Sequence, residues 1–269
     1  MAERFDLDVL QQALAGSVFN GKLHLFPSIE STNTYAMQQG AKGSPHGSVY
    51  VAEEQTAGRG RGDHTWHSEP YTGIYMSILL RPHLAAADGL WLSLATGLAV
   101  QRAIEIATAL VTDIRWPNDL LFKQRKVGGI LVEMNAEASR IRHAVIGIGI
   151  NVNQGHFPTN LNRGATSLRL GTGREIARED LLVGVLQCLS DEIDALIQPE
   201  SFTVACAEIL RRLEEKSTWI RGKQVFVDEA GGYTGVTAGL DEKGFLLVRT
   251  DDGTRRVLSG GVRERLAKG

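Results

Sequence analysis

Cysteine is nearly absent, with Cys188 and Cys206 the two in 269 residues. Two thiols cannot build a disulfide framework or a four-ligand zinc site. Both fall in segments that read as helix, so they are expected as small buried residues of a reducing compartment. An excess of either charge is lacking too. Lysine and arginine total 29 against 31 acidic residues, a net charge of −2. Duplex DNA binding calls for a basic surplus, because phosphate contacts supply most of the affinity, so no DNA partner is expected. Long apolar runs are missing as well: Leu90 to Val100 is interrupted by Ser93, Thr96 and Gly97, and a bilayer needs ~20 residues. The opening residues Met1 to Asp6 have no basic segment followed by an apolar core. No signal peptide and no membrane partner are therefore expected, and the expected location is cytoplasmic. What is present is ordinary for a globular protein, 43% hydrophobic and 22% charged. That is enough for one large domain and a small one.

Hydrophobic periodicity divides the chain in two. Asp6 to Ala15 predicts a capped helix with Val9, Leu10, Ala13 and Leu14 on one face, ended by Gly16. One helix before the first strand, Lys22 to Phe26, is too little for a helix-turn-helix head. Further on, the pattern predicts a helix over 31–39 ended by Gly40 and strands over 49–52 and 74–80. A long helix over 90–110, buried strands over 130–134 and 144–150, and helices over 179–197 and 202–215 follow. After Ser217 the period changes to two. Runs at 224–228, 233–240, 245–250 and 254–258, the last two joined by Asp252-Gly253, predict a small β-barrel.

Four segments carry chemistry. In Glu53 to Gly62, glycines alternate with arginines after a strand. Glycine lets the backbone approach a ligand, and the arginine fork fits carboxylate and phosphate. The same segment also reads as a flexible loop with solvated arginines. It is neither a Walker A loop nor a Rossmann fingerprint. Arg115-Trp116-Pro117-Asn118-Asp119 ends in two residues able to meet a metal-bound nucleotide or a ribose, and reads equally as a turn. Lys126-Val127-Gly128-Gly129 sets a point charge beside free backbone N–H groups, or is a hairpin turn with an exposed lysine. In Gly147 to Asn153, Asn151 and Asn153 fall on one strand face, either as ligands or as solvated amides. His64 and His67 have no third partner for a metal.

These segments, together with Ser31-Thr32-Asn33 and Ala165-Thr166-Ser167-Leu168, occur in an order and spacing that resembles the biotin protein ligases, also called biotin–[acetyl-CoA-carboxylase] ligases. The likeness runs from about Leu23 to Ile197 and extends more loosely over the tail. It implies an α+β fold. Residues 1–217 would form a mixed-sheet catalytic domain with flanking helices, class II synthetase-like or SH2-like. Residues 218–269 would form a small C-terminal SH3-like β-barrel, and the type without an N-terminal DNA-binding domain is implied. The implied reaction joins biotin and ATP to biotinyl-5′-AMP, then passes biotin to one lysine of a biotin carboxyl carrier protein. Magnesium would assist, and the enzyme would be a monomer or homodimer.

By the same resemblance Ser31, Thr32, Asn33 and Gln55 should face biotin, and Gly58-Arg59-Gly60-Arg61 should close over biotin and the adenylate phosphate. Lys126, beside Gly128 and Gly129, should hold the biotin carboxylate or the α-phosphate. Asn118 and Asn151 should lie near the nucleotide, and Trp66 should stack on adenine or pack the closed loop, or equally serve as a core residue. Arg59, Lys126 and Asp119 are the catalytic candidates. Asp119 is the candidate magnesium ligand, or the base toward the incoming lysine, whose ammonium has a reference pKa of about 10.4. Many relatives carry further arginines just after the position of Arg61; here Gly62-Asp63-His64-Thr65-Trp66 stands instead. That departure predicts weaker β- and γ-phosphate contacts, or contacts supplied from elsewhere, and a raised ATP requirement. A lipoate ligase or octanoyltransferase and a non-catalytic biotin-responsive regulator are the competing readings. The Gly-Arg-Gly-Arg loop followed by Lys-x-Gly-Gly-Ile-Leu favours biotin over the first; the short N-terminus and acidic balance argue against the second.

Overall fold

The computed structural model describes residues 4–62, 64–137, 140–161, 164–229, 231–259 and 261–265; Asp63 lies outside the described residues. Strands β1 (Leu23–Phe26), β2 (Ser48–Ala52), β3 (Gly73–Leu80), β4 (Asp113–Arg115), β5 (Asp119–Phe122), β6 (Arg125–Ala136) and β7 (Ile141–Asn151) form one sheet in the order β1-β2-β3-β7-β6-β5-β4. Its β1–β2 pair is parallel and the remaining pairs are antiparallel, so the sheet is mixed.

Side chains alternate between the two faces as a strand period of two demands. Val49, Val51, Ile78 and Leu80 join the main core, while Tyr50 and Leu79 pack with Ala36 on the other side. On the main-core side lie α3 (Gly89–Thr108) and α5 (Arg178–Ile197), whose buried residues recur at helical spacing. On the other side lies α2 (Thr32–Ala41), with Ser31 as its N-cap. Helices α1 (Leu7–Ala13), α4 (Leu168–Thr172) and α6 (Phe202–Lys216) complete this part.

After α6, strands β8 (Arg221–Asp228), β9 (Tyr233–Leu240), β10 (Leu246–Thr250), β11 (Gly253–Arg256) and β12 (Gly261–Glu264) make an antiparallel sheet in the order β11-β10-β9-β8-β12. Its five antiparallel strands follow one another in a single series, the strand-rich tail the sequence predicts. Its inner residues Val225, Val227, Leu246 and Val248 belong to the same apolar cluster as α3 and the large sheet.

Several sequence expectations are corrected. Gly40 does not end α2; it lies buried within the helix, where an added Cβ would sit 2.5 Å from His143 Cδ2. Close packing, not helix termination, requires glycine there. Gly128 and Gly129 are not in a turn but inside β6, paired with both β5 and β7, so their N–H groups serve the sheet. Val9 and Ala13 of α1 face solvent, while Leu10 and Leu14 are buried. Strands β5 and β12 and helix α4 are too short to show a period in sequence.

Candidate functional site

A narrow slot opens on the α2 side of the sheet. The row Gly147, Gly149 and Gly129 floors it, since Gly129 lies opposite Gly149 across β6 and β7. A Cβ on Gly149 would fall 2.5 Å from Trp66 Cε2, and one on Gly129 would fall 2.9 Å from Trp66 Cζ3. A Cβ on Gly147 would overlap Asn33 Oδ1. The missing side chains therefore create the space that Trp66 and Asn33 occupy at the sheet surface. At one end, Gln55 Oε1 accepts from Thr32 N at 2.9 Å and Thr32 Oγ1 at 3.0 Å, and Gln55 Nε2 donates to Ser68 Oγ at 3.0 Å. Ser77 Oγ donates to Asn33 Oδ1 at 2.7 Å and stands 2.8 Å from Thr32 Oγ1. Ser31, Thr32 and Asn33 are all buried. This polar end is prearranged by short side chains whose partners are fixed.

The arginine–glycine segment folds back on itself. Trp66 N donates to Gly58 O at 2.8 Å, Gly60 N to His64 O at 2.7 Å, and Arg59 bridges to Thr65. A Cβ on Gly58 would meet Trp66 O at 2.5 Å, and Gly62 adopts φ +63. So the segment is a tight returning turn that delivers Arg59, Arg61 and Trp66 to the slot. Arg59 reaches Glu133 of β6 at 2.9 Å, and Asn33 Nδ2 donates to the same carboxylate at 2.9 Å. Arg61 donates to Ser259 O in the tail. Burial pulls its guanidinium below its ordinary pKa, opposed by the nearby Asp119 and Glu229.

Lys126 Nζ lies 2.5 Å from Asp119 Oδ1 and 5.4 Å from the centre of the Trp66 ring. Asp119 Oδ2 accepts from Arg115 Nε at 3.1 Å and Nη2 at 2.5 Å. Burial works to raise the Asp119 pKa, but Lys126 and Arg115 together hold it below the ordinary carboxylate value. Both its oxygens are thus engaged by cations. Arg115 in turn stands over the Trp219 ring, 5.3 Å from its centre.

The slot has about 40 Å³ of free volume. It meets a wider cavity of about 690 Å³ that reaches the tail sheet. Gly60, Arg61, Trp66, Asn118 and Lys126 line both. Trp66 Nε1 is buried there without a partner among the described residues.

Of the sequence candidates, Ser31, Thr32, Asn33, Gln55, Arg59, Gly60, Arg61, Trp66, Asn118, Lys126 and Gly129 come together at the slot. Asp119 and Asn151 line the wider cavity, where Asn151 Nδ2 donates to Thr166 O at 3.0 Å. Gly58 sits at the root of the turn, and Gly128 turns away toward Leu120. Asn153 is occupied by Ile176, to whose O it donates at 2.8 Å. Asp119, the candidate magnesium ligand, has one oxygen at Lys126 and the other at Arg115. Glu133, Ser68, Ser77 and Arg115 were not among the sequence candidates. Arg115 had a signal, lying within the Arg-Trp-Pro-Asn-Asp segment; the other three lie on strands or in a loop with nothing local to mark them.

Residues 25–151 match the Biotin/lipoate A/B protein ligase family, and residues 222–262 match the Biotin protein ligase C terminal domain. With the mixed sheet and the two joined cavities, this defines a protein ligase of the biotin/lipoate class. The chain is 36% identical over 236 residues to the Bifunctional ligase/repressor BirA of Bacillus spizizenii, covering 87% of this chain and 71% of that protein. It is 36% identical over 143 residues to the Biotin–[acetyl-CoA-carboxylase] ligase of Mycobacterium tuberculosis, about half of each chain (51%). Among solved structures, Biotin protein ligase from Aquifex aeolicus in complex with biotin and ATP is similar with a TM-score of 0.78 and 31% identity, covering 91% of this chain and 100% of that one. The chain belongs to the biotin protein ligase family.

Proposed function

We propose that this chain activates biotin with ATP to biotinyl-5′-AMP and transfers the biotinyl group to a lysine of a biotin carboxyl carrier protein. The observation that carries this reading is the junction of slot and cavity, where Arg61, Lys126 and the unpartnered Trp66 N–H converge. Two anions must meet there, and fixed cations offset their repulsion while orienting them. Biotin enters the slot with its ureido ring toward Ser31, Thr32, Asn33 and Gln55 and its carboxylate toward Lys126. The slot is too small for a bicyclic ligand as it stands, since ligand sites usually span ~300 Å³ or more. Arg59, which closes the slot through Glu133, and Trp66 therefore shift on binding.

A biotin carboxylate oxygen attacks the α-phosphorus. The bond from that phosphorus to the α,β-bridging oxygen breaks, and pyrophosphate leaves with the electron pair. In the second half-reaction a neutral lysine amine attacks the acyl carbon, AMP departs and a proton is released. Asp119, gripped by two cations, is a poor base; we assign it to positioning Lys126 and Arg115. Magnesium enters with ATP as part of the substrate, while Lys126 and Arg115 engage the two oxygens of Asp119. Asn118 and Asn151 lie on the nucleotide side. We further propose a division into a catalytic part, 1–217, and a tail, 218–269, acting in the cytoplasm. The test is mass spectrometry of the protein mixed with biotin and MgATP. Biotinyl-5′-AMP is expected; none formed, or lipoate activated in preference, refutes the reading.

A further inference from the structure

We propose that Ser77, on β3, is a positioning residue that sets the direction of the hydrogen bonds at the polar end of the slot, so that Thr32 accepts a proton from the ligand's head group. This rests on the biotin reading above. Three strands lie side by side at this end. Gly147 of β7 is paired with Ser77 of β3 on one side and with Leu131 of β6 on the other. The Asn33 amide lies over Gly147 and spans all three. Its nitrogen stands 3.3 Å from Leu131 O and 2.9 Å from Glu133 Oε2. Both are acceptors, and Glu133 is itself paired with Arg59. The amide therefore donates on the β6 side, and only its oxygen is left to face Ser77.

A hydroxyl carries a single proton. Ser77 Oγ lies 2.7 Å from Asn33 Oδ1, which has none to give, so the Ser77 proton is committed there. Toward Thr32 Oγ1, 2.8 Å away, Ser77 has only lone pairs to offer. The Thr32 hydroxyl also meets Gln55 Oε1, at 3.0 Å. That oxygen accepts from Thr32 N and has no proton either. Thr32 thus spends its own proton within the protein, on Ser77 or on Gln55, and keeps a lone pair for the slot it lines. Ser77, Thr32 and Asn33 are all buried, so solvent has no access to reorder this chain of bonds. A cyclic urea meets the lone pair with an N–H. A dithiolane or an alkyl chain has none, and a buried acceptor left unpaired weakens binding.

The experiment measures adenylation by the full chain with biotin and with its two cyclic carbamate analogues, in each of which an oxygen replaces one ureido N–H. Wild type is expected to disfavour one of the two by about tenfold or more in kcat/KM, the loss of one contact. Ser77→Ala should raise KM for biotin about tenfold and leave KM for ATP within about twofold. It should also cut the discrimination to about threefold or less, because a freed Thr32 hydroxyl turns its proton to the analogue's oxygen. Glu133→Gln keeps the size of the side chain but lets its amide donate to Asn33 Oδ1. Asn33 then turns over, the order of donors reverses, and discrimination should fall likewise. Arg59→Ala removes the ion pair without turning the amide, so discrimination should stay as in wild type. Equal use of biotin and both carbamates by wild type overturns the proposal. So does wild-type discrimination in Ser77→Ala or Glu133→Gln, which would leave Ser77 a packing residue. A loss in Arg59→Ala that matches Glu133→Gln also overturns it, since the ion pair alone would then carry the effect. Wild-type protein that activates no biotin refutes the ligase reading itself, a separate outcome.

Discussion

Gly147 and Gly149 show how much chemistry an absent side chain can hold. Each leaves the space in which a neighbour lies against the sheet, Asn33 over Gly147 and Trp66 over Gly149. A methyl group at either position must displace that neighbour, because β7 is paired on both sides and cannot itself give way. Overpacking of this kind costs roughly 1–3 kcal/mol. The cost falls on the binding surface and not on the fold as a whole. Gly147→Ala is therefore expected to raise KM for biotin more than tenfold by displacing the Asn33 amide. Gly149→Ala should raise KM for ATP and biotin together by moving Trp66, which lines both cavities. Titration of each variant against both substrates checks the split, and equal effects of the two variants on both constants would contradict it.

At the scale of elements, the arginine turn is held at its roots. Glu53, just after β2, pairs with Arg178 at 2.8 Å, and both side chains are almost fully buried. Phe5 lies over the guanidinium, 4.2 Å from ring centre to Cζ, and its N–H donates to Glu53 Oε1 at 2.7 Å. Tyr71 N donates to Glu53 O at 3.3 Å, so the same residue ties down both ends of the segment between β2 and β3. Removing one partner of such a buried pair leaves the other charge stranded, which costs about 3–5 kcal/mol. Arg178→Met is expected to lower stability by that order in urea denaturation, and Glu53→Gln by less, since the amide still accepts hydrogen bonds. Loss of the Phe5 ring should loosen the segment without stranding a charge. A fully stable Arg178→Met protein would show that the pair is dispensable.

For the whole molecule, the tail is not an appended module. Trp116 Nε1 donates to Gly244 O at 2.9 Å, Ser217 Oγ to Ile114 O at 2.6 Å, and Thr218 N to Asp113 Oδ1 at 3.1 Å. Trp219 and Ile220 lie in the same apolar cluster as Trp91, Leu94 and Trp116. Truncation after Ser217 would expose that surface and leave the Trp116 N–H unpaired. The expected outcome is a poorly soluble fragment, while the full chain unfolds in one cooperative transition. Calorimetry of both checks this; a soluble, folded fragment of residues 1–217 would mean that the two sheets are energetically independent. No helix among the described residues is long and apolar enough to cross a membrane.

The sequence by itself determined the element types and most of the site. Strands 233–240 and the helices at 89–108 and 178–197 follow from periodicity, because burying one face is a local demand written into residue spacing. The arginines, Lys126, Gln55 and the Ser31 to Asn33 run declare their chemistry by residue type. Only the tertiary structure decided what lies over Gly129, what Asp119 is bound to, and that Glu133 and Ser77 both meet Asn33. Those facts depend on which strands pair and which loop returns to which cavity. Contacts between separate strands and loops, from Lys126 with Asp119 to Asn33 with Glu133, leave no trace in either segment alone.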